Sequence, residues 1–139
     1  MHYFEFYVDM KAESIENITP FIEKEINKSN INNGLVFIFS VGSTSGLSTI
    51  EYEPGLKKDI FIAMEKIAPK NAYYFHHETW HDDNGRSHVR ATFIGPSLFV
   101  PFKNKKLLLG TWQQIVLFNF DTRDRERRVV GYVVSADQT

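Results

Sequence analysis

A dense set of side chains that can transfer protons or bind metals lies between His76 and His88. Four of the five histidines of the chain occur in this segment, together with Glu78, Asp82 and Asp83. Imidazole and carboxylate groups are the usual protein ligands of Zn²⁺, and imidazole also titrates near neutral pH. The segment is therefore predicted to carry a metal centre or an acid–base site, with a solvated polar loop as the alternative.

In the enzyme hypothesis each group of this segment has a role. His77 and His88 act as acid–base groups or as ligands of a divalent metal, Zn²⁺ or Mg²⁺. Asp82 and Asn84 orient the two imidazoles through hydrogen bonds, as the neighbours of catalytic and metal-bound histidines commonly do. The sequence does not tell which of the neighbouring histidines point inward.

A second candidate segment, Gly42-Ser43-Thr44-Ser45-Gly46, follows an apolar run that is predicted to be a buried strand. Glycine and serine backbones can approach an anion closely, and hydroxyls donate to phosphate oxygens. In the enzyme hypothesis Thr44 contacts a substrate phosphate together with Arg90. Because the segment lacks the lysine of a P-loop, an ordinary tight turn is the alternative.

Two further places carry groups that could take part in the chemistry. Glu51 and Glu53 would share one face of a strand, where Glu51 is a candidate base or ligand, although acids also favour helix starts. Thr111 and Gln113 follow Gly110 between two apolar strands and are candidate substrate contacts. The charged run from Asp121 to Arg127 is expected to be a solvated loop with local ion pairs.

Length and composition favour one soluble domain, residues 1–139. The chain is 42% hydrophobic and rich in phenylalanine, enough for a core without disulfides or structural metal. Its net charge of −1 argues against a nucleic-acid partner. It contains no cysteine, no basic-then-apolar leader and no apolar run of membrane-spanning length. A cytoplasmic protein without a membrane partner is therefore expected.

The order of elements predicts an α+β fold. Two main helices are expected, one after Thr19-Pro20 and one from Pro54 to Pro69. Strands are expected at residues 3–9, 35–39, 47–52, 98–102, 107–109, 114–120 and 128–134, and the segment 71–87 is expected to be irregular. Because helices come early and strands dominate the second half, a single-domain sandwich of mostly antiparallel strands is favoured over a doubly wound parallel sheet.

Several stretches of the chain occur together in one known family. They are the run from His88 to Leu98 with its Gly-Pro-Ser, the run from Leu109 to Ile115 with its Gly-Thr-Trp-Gln, and Phe120-Asp121 followed by Arg125 and Arg127. In this combination the chain, from about Gly34 onward, resembles the YjbQ family, also labelled secondary thiamine-phosphate synthase. Many relatives carry His-Thr-Thr where this chain has Gly42-Ser43-Thr44.

The resemblance implies a homotrimer of α+β sandwiches and a site that combines His77, Asn84 and His88 with Thr44 and Glu51. It also implies thiamine-phosphate-synthase-like activity on small phosphorylated heterocycles, a reaction that normally uses Mg²⁺. One alternative is a trimer that binds a metal or ligand without catalysis. Another is an interaction module that uses Trp80 and Tyr73 as contacts.

Overall fold

The computed structural model describes residues 1–137 as eight strands and four helices. The strands are β1 (His2–Met10), β2 (Ser14–Asn17), β3 (Gly34–Val41), β4 (Ser45–Glu51), β5 (Ser97–Lys103), β6 (Lys106–Leu107), β7 (Gln113–Asn119) and β8 (Arg125–Ser135). The helices are α1 (Thr19–Ser29), α2 (Pro54–Ile67), α3 (His76–Trp80) and α4 (Gly85–Ile94). None of these helices is long and apolar enough to cross a membrane.

The strands form two antiparallel sheets. The larger sheet has the order β1-β8-β3-β5-β6, and the smaller has the order β2-β7-β4. Phe4, Val36 and Val133 of the larger sheet share one buried cluster with Ile115 and Leu117 of the smaller sheet. The predicted α+β sandwich of mostly antiparallel strands is therefore confirmed.

Strand β7 lies at the centre of the molecule and is buried on both faces. Ile115 and Leu117 face the larger sheet and α1, whereas Val116, Phe118 and Phe120 pack with residues of α2 and α4. Successive strand residues point to opposite faces, so a strand covered on both sides must be apolar throughout. The fold thus has three layers: the larger sheet, the smaller sheet, and the pair α2 and α4.

Both predicted helices form, and each begins with a polar side chain that accepts backbone N–H groups. Asn17 Oδ1 accepts from the Thr19 N–H at 3.0 Å, and Ile18 rather than Thr19 holds the N-cap position. Glu53 caps α2 by accepting from the N–H groups of Gly55 and Leu56. Glu53 is therefore a helix-start residue, one of the two roles that the sequence left open.

The segment 71–87 is more ordered than the sequence predicts. It contains the short helix α3 and the first turn of α4. α3 ends at His81, which takes a left-handed conformation with φ 56°. Gly85 then packs against Tyr74 so closely that an added Cβ would lie 2.5 Å from the Tyr74 Cβ. This contact fixes the start of α4 against the chain that leads into α3.

The outer face of the larger sheet is apolar and aromatic. It carries Tyr3, Tyr7, Leu35, Phe37, Phe39, Phe99, Val130 and Tyr132, several of them well exposed. The rings of Phe37 and Phe99 contact each other at a tilt with centroids 4.9 Å apart, and those of Tyr3 and Tyr132 at 5.3 Å. Such a patch on a protein of this size commonly marks an interaction surface.

Candidate functional site

The loop between α3 and α4 brings three polar side chains into mutual contact. His76 Nε2 lies 3.0 Å from Asp82 Oδ1 and 3.1 Å from a terminal atom of the Asn84 amide. The same amide atom lies 3.0 and 3.1 Å from the two Asp82 carboxylate oxygens. Because the chain reverses direction at His81, the start of α3 meets the residues that precede α4.

His88 is the fourth member of this cluster. Its ring packs against that of His76 at an angle of 45°, with centroids 4.4 Å apart. Burial, and then the neighbouring His76, lower the pKa of His88, although Asp82, Asp121 and a hydrogen bond to the Ser43 backbone act in the opposite direction. The lowered pKa favours the neutral form of the His88 imidazole.

A cleft of about 370 Å³ opens beside His88. It is lined by Gly42, Ser43, Ser45, His88, Ala91, Thr92 and Pro96. The two segments that the sequence singled out for chemistry thus meet at one cleft, the β3–β4 turn on one side and α4 on the other. Its volume lies near the lower end of the range for small-molecule sites.

The β3–β4 turn is held from below by a buried arginine. Arg127 Nη2 donates to the carbonyl oxygen of Thr44 at 3.1 Å, to its hydroxyl at 2.6 Å, and to Asn119 Oδ1 at 2.5 Å. Only 6% of the surface of Arg127 is exposed. Burial lowers the pKa of its guanidinium, while the charge of Asp121 raises it.

Asp121 links this network to the histidine cluster. It accepts from the Thr44 hydroxyl at 3.2 Å and from Arg125 Nε at 2.8 Å, and it is 1% exposed. Its burial raises the pKa, but hydrogen bonds from Arg125, the Thr122 N–H and Asn84 outweigh that effect and lower the pKa. Asp121 is therefore an ionised carboxylate between the turn and Asn84.

This buried network corrects the expectation of a solvated charged loop at residues 121–127. Arg123, Asp124 and Glu126 are exposed as expected, but Asp121 and Arg127 are not. A signal was present in the sequence: Arg127 alternates with Val129, Gly131 and Val133, which share the inner face of β8. Period-two alternation places Arg127 on that face.

Several predicted site residues lie elsewhere. Thr44 is buried, and its hydroxyl is already bonded to Arg127 and Asp121. Arg90 is buried too, and donates to the Ala68 carbonyl oxygen and to Glu65 Oε2 at 2.8 Å, so it joins α4 to α2 rather than facing the cleft. His77 points away from His88, and its Nδ1 contacts the Asp82 carbonyl oxygen at 2.7 Å.

Glu51, Thr111 and Gln113 are grouped at the far end of the smaller sheet. Glu51 pairs with Gln113 in the β4–β7 ladder, and Gln113 Nε2 donates to the Thr49 hydroxyl at 2.8 Å. Glu51 lies six positions along the extended strand from Ser45, a distance of about 20 Å. One copy of the chain therefore does not bring these three residues to His88.

The metal-ligand pair His77 and His88 is not brought together, since it is His76 that contacts His88. Residues 77–81 also have the His-Glu-x-x-His spacing of metalloprotease helices. α3 ends at Trp80, however, and the His77 and His81 rings lie perpendicular with centroids 5.8 Å apart. Counting His, Asp and Glu side chains alone, residues 1–137 contain no group of three with the geometry of a metal site.

A larger apolar groove of about 940 Å³ lies between β2 and α2. Ile15, Lys57 and Phe61 are among the residues that line it, and none of the candidate site residues does. The cleft beside His88 is smaller but combines an imidazole with an exposed glycine–serine turn. We therefore take the cleft as the candidate functional site.

Replacing the buried carboxylate tests the network beneath this site. We expect Asp121→Asn to lower the free energy of unfolding by about 3 kcal/mol, because the buried Arg127 charge loses its neighbouring anion. Asp124→Asn is the matched control, since Asp124 is exposed and its ion pair with Lys11 is worth less than about 1 kcal/mol. Urea unfolding of both variants measures the difference, and equal effects would contradict the role of Asp121.

Comparison with known proteins agrees with the fold and gives a family. Residues 4–136 match the family model described as UPF0047 protein YjbQ-like. A UPF0047 protein of Archaeoglobus fulgidus is 38% identical over 120 residues, which cover 86% of this chain and 90% of that protein. A crystal structure of a YbjQ-like protein of unknown function from Sulfolobus solfataricus is 30% identical, with a TM-score of 0.89 and 96% of each chain covered. A hypothetical protein from Aeropyrum pernix is 28% identical with a TM-score of 0.87, covering 97% of this chain and 99% of its own. The chain therefore belongs to the UPF0047 family of YjbQ-like proteins.

Proposed function

We propose that this protein is an enzyme that acts on a small phosphorylated molecule bound in the cleft beside His88. The observation that carries the proposal is the position of His88, which lines the cleft and whose ring contacts that of His76. A neutral imidazole beside a substrate-sized cleft is suited to general acid–base catalysis. His76, held by Asp82, supports the ring of His88 from behind.

The opposite wall of the cleft favours an anionic substrate. Gly42 and Ser43 are exposed there, so their backbone is accessible to a ligand. The charge of Arg127 lies directly beneath, because a Cβ on Gly42 would be 3.1 Å from Arg127 Nη1. The guanidinium under the exposed glycine–serine turn favours a phosphate there, although Asp121 offsets part of its charge. Backbone groups of this turn and the Ser43 hydroxyl take the place that the sequence hypothesis gave to Thr44 and Arg90.

The more specific activity follows from the family resemblance. It is the joining of a hydroxymethylpyrimidine diphosphate to a thiazole phosphate, with release of pyrophosphate. Such a reaction requires stabilisation of the leaving pyrophosphate by cations or backbone N–H groups. The turn above Arg127 is the part of this chain that fits that requirement.

Replacement of His88 tests the proposed role in catalysis. In an assay of thiamine phosphate formation from the two phosphorylated heterocycles, we expect His88→Asn to lower kcat/KM at least about 100-fold, the usual loss when a general acid or base is removed. His81→Asn is the control, because His81 is exposed and asparagine tolerates its left-handed backbone.

The control variant should retain wild-type turnover. If His88→Asn also retains it, the assignment of the proton-transfer group is wrong. If the wild-type protein forms no thiamine phosphate but other phosphorylated compounds are turned over with the same dependence on His88, the heterocycle reaction is rejected and the site is retained.

We further propose that copies of the chain associate as a homotrimer through the outer face of the larger sheet. Exposed aromatic residues cover much of this face, and its Glu5–Arg128 pair is already neutralised within one copy. Glu5 accepts from Arg128 Nε at 2.7 Å and from the Tyr7 hydroxyl at 2.8 Å. These hydrogen bonds lower the pKa of Glu5 to about 2, so the pair stays ionised at neutral pH.

A matched pair of phenylalanine replacements tests this surface. Phe99 lies on the outer face and is 67% exposed, whereas Phe93 lies on α4 and is 66% exposed. In sedimentation velocity at micromolar concentration, we expect a trimer for the wild type and for Phe93→Glu. Phe99→Glu should sediment as monomer, because a buried unpaired carboxylate opposes association. A monomeric wild type, or a trimeric Phe99→Glu, would contradict the proposal.

A further inference from the structure

The contacts among His76, Asp82 and Asn84 form a closed triangle. His76 Nε2, the Asp82 carboxylate and one terminal atom of the Asn84 amide lie 3.0 to 3.1 Å from one another. Asn84 is more than nine-tenths buried, so its side chain is not simply solvated. Every edge of the triangle is therefore within hydrogen-bond distance.

Hydrogen bonds alone leave one edge of this triangle without a bond while Asp82 is ionised. If the Asn84 oxygen faces inward, it meets the Asp82 oxygens without a proton between them. If the Asn84 nitrogen faces inward and His76 Nε2 is protonated, the two donors face each other. If His76 Nε2 is unprotonated, it accepts from Asn84, but its lone pair then faces the Asp82 carboxylate. In every combination of amide orientation and imidazole tautomer, one edge of the triangle joins two donors or two acceptors.

A metal ion among the three groups would bind all of them at once. With the Asn84 oxygen turned inward and His76 Nε2 unprotonated, all three atoms are acceptors that converge on one point. Ligands bound at about 2.1 Å, at angles between octahedral and tetrahedral values, lie about 3.0 to 3.4 Å apart. The separations within the triangle match the lower end of that range.

We propose that His76 Nε2, the Asp82 carboxylate and the Asn84 amide oxygen bind one divalent cation of the Zn²⁺ class. One imidazole with two oxygen donors suits Zn²⁺ and similar transition metals better than Ca²⁺ or Mg²⁺, which prefer oxygen ligands. Three protein ligands leave a coordination position open, as in catalytic zinc sites. The inference concerns ion binding and holds whether or not the cleft turns over a substrate.

This ligand set differs from both pairs that the spacing of the histidines suggests. The sequence hypothesis paired His77 with His88, and the His-Glu-x-x-His spacing pairs His77 with His81. Both pairs depend on His77, whereas the triangle excludes it. Variants of adjacent residues can therefore tell these ligand sets apart. His76 is compared with His77, and Asp82 with the exposed Asp83.

The test is a titration of the untagged, chelator-stripped protein with Zn²⁺ alone, followed by calorimetry and by elemental analysis after dialysis. We expect one Zn²⁺ per chain for the wild type, His77→Gln and Asp83→Asn. His76→Gln and Asp82→Asn should each weaken binding at least about 10-fold, since each removes one of three ligands. Circular dichroism of every variant checks that it is folded.

Asn84→Asp distinguishes a metal site from a network of hydrogen bonds. A second carboxylate should tighten Zn²⁺ binding and raise the melting temperature of the zinc-loaded protein. Without a metal, two carboxylates 3.0 Å apart repel each other, and the melting temperature should fall. The proposal is overturned if the wild type shows no saturable binding at micromolar Zn²⁺, if His77→Gln loses the metal while His76→Gln keeps it, or if Asn84→Asp does not bind Zn²⁺ more tightly.

Discussion

The buried guanidinium of Arg127 is the constraint on which the candidate site depends. A charge withdrawn from water is costly unless acceptors surround it. The oxygens of Thr44 and Asn119 contact Arg127, and Asp121 supplies the nearby negative charge. Because these acceptors come from the β3–β4 turn and the end of β7, one side chain fixes the relative positions of three strands.

The same network positions the residues of the candidate site. Thr44 is anchored from below, so the preceding Gly42 and Ser43 form a defined wall of the cleft. Asp121 connects the anchor to Asn84, and Asn84 lies against His76 and Asp82. His76 in turn packs against His88, which lines the opposite wall of the cleft. Rigid support of this kind is what a site needs to hold a small ligand in one orientation.

The sequence predicts the fold better than the site, for identifiable reasons. The spacing of Ile18, Ile22 and Ile26 is a local pattern, and all three are fully buried as it indicates. The choice between His76 and His77 is different, because consecutive residues of a helix point about 100° apart and only the tertiary packing selects one of them. The contact of Arg127 with Thr44 spans 83 positions of the chain, and no local spacing rule predicts it. Likewise, only the antiparallel register of β4 and β7 reveals that Glu51 and Gln113 lie far from His88.

We propose above all that small anions bind between the Gly42–Ser45 turn and His88. It is tested most directly by titrating ¹⁵N-labelled wild-type protein with pyrophosphate and following the backbone amide signals. We expect saturable shifts of the amide signals of Gly42, Ser43, His88 and Thr92, and unchanged signals for Glu51 and Gln113. Shifts concentrated at the Glu51 and Gln113 end of the smaller sheet, or no saturable shifts at all, would contradict it.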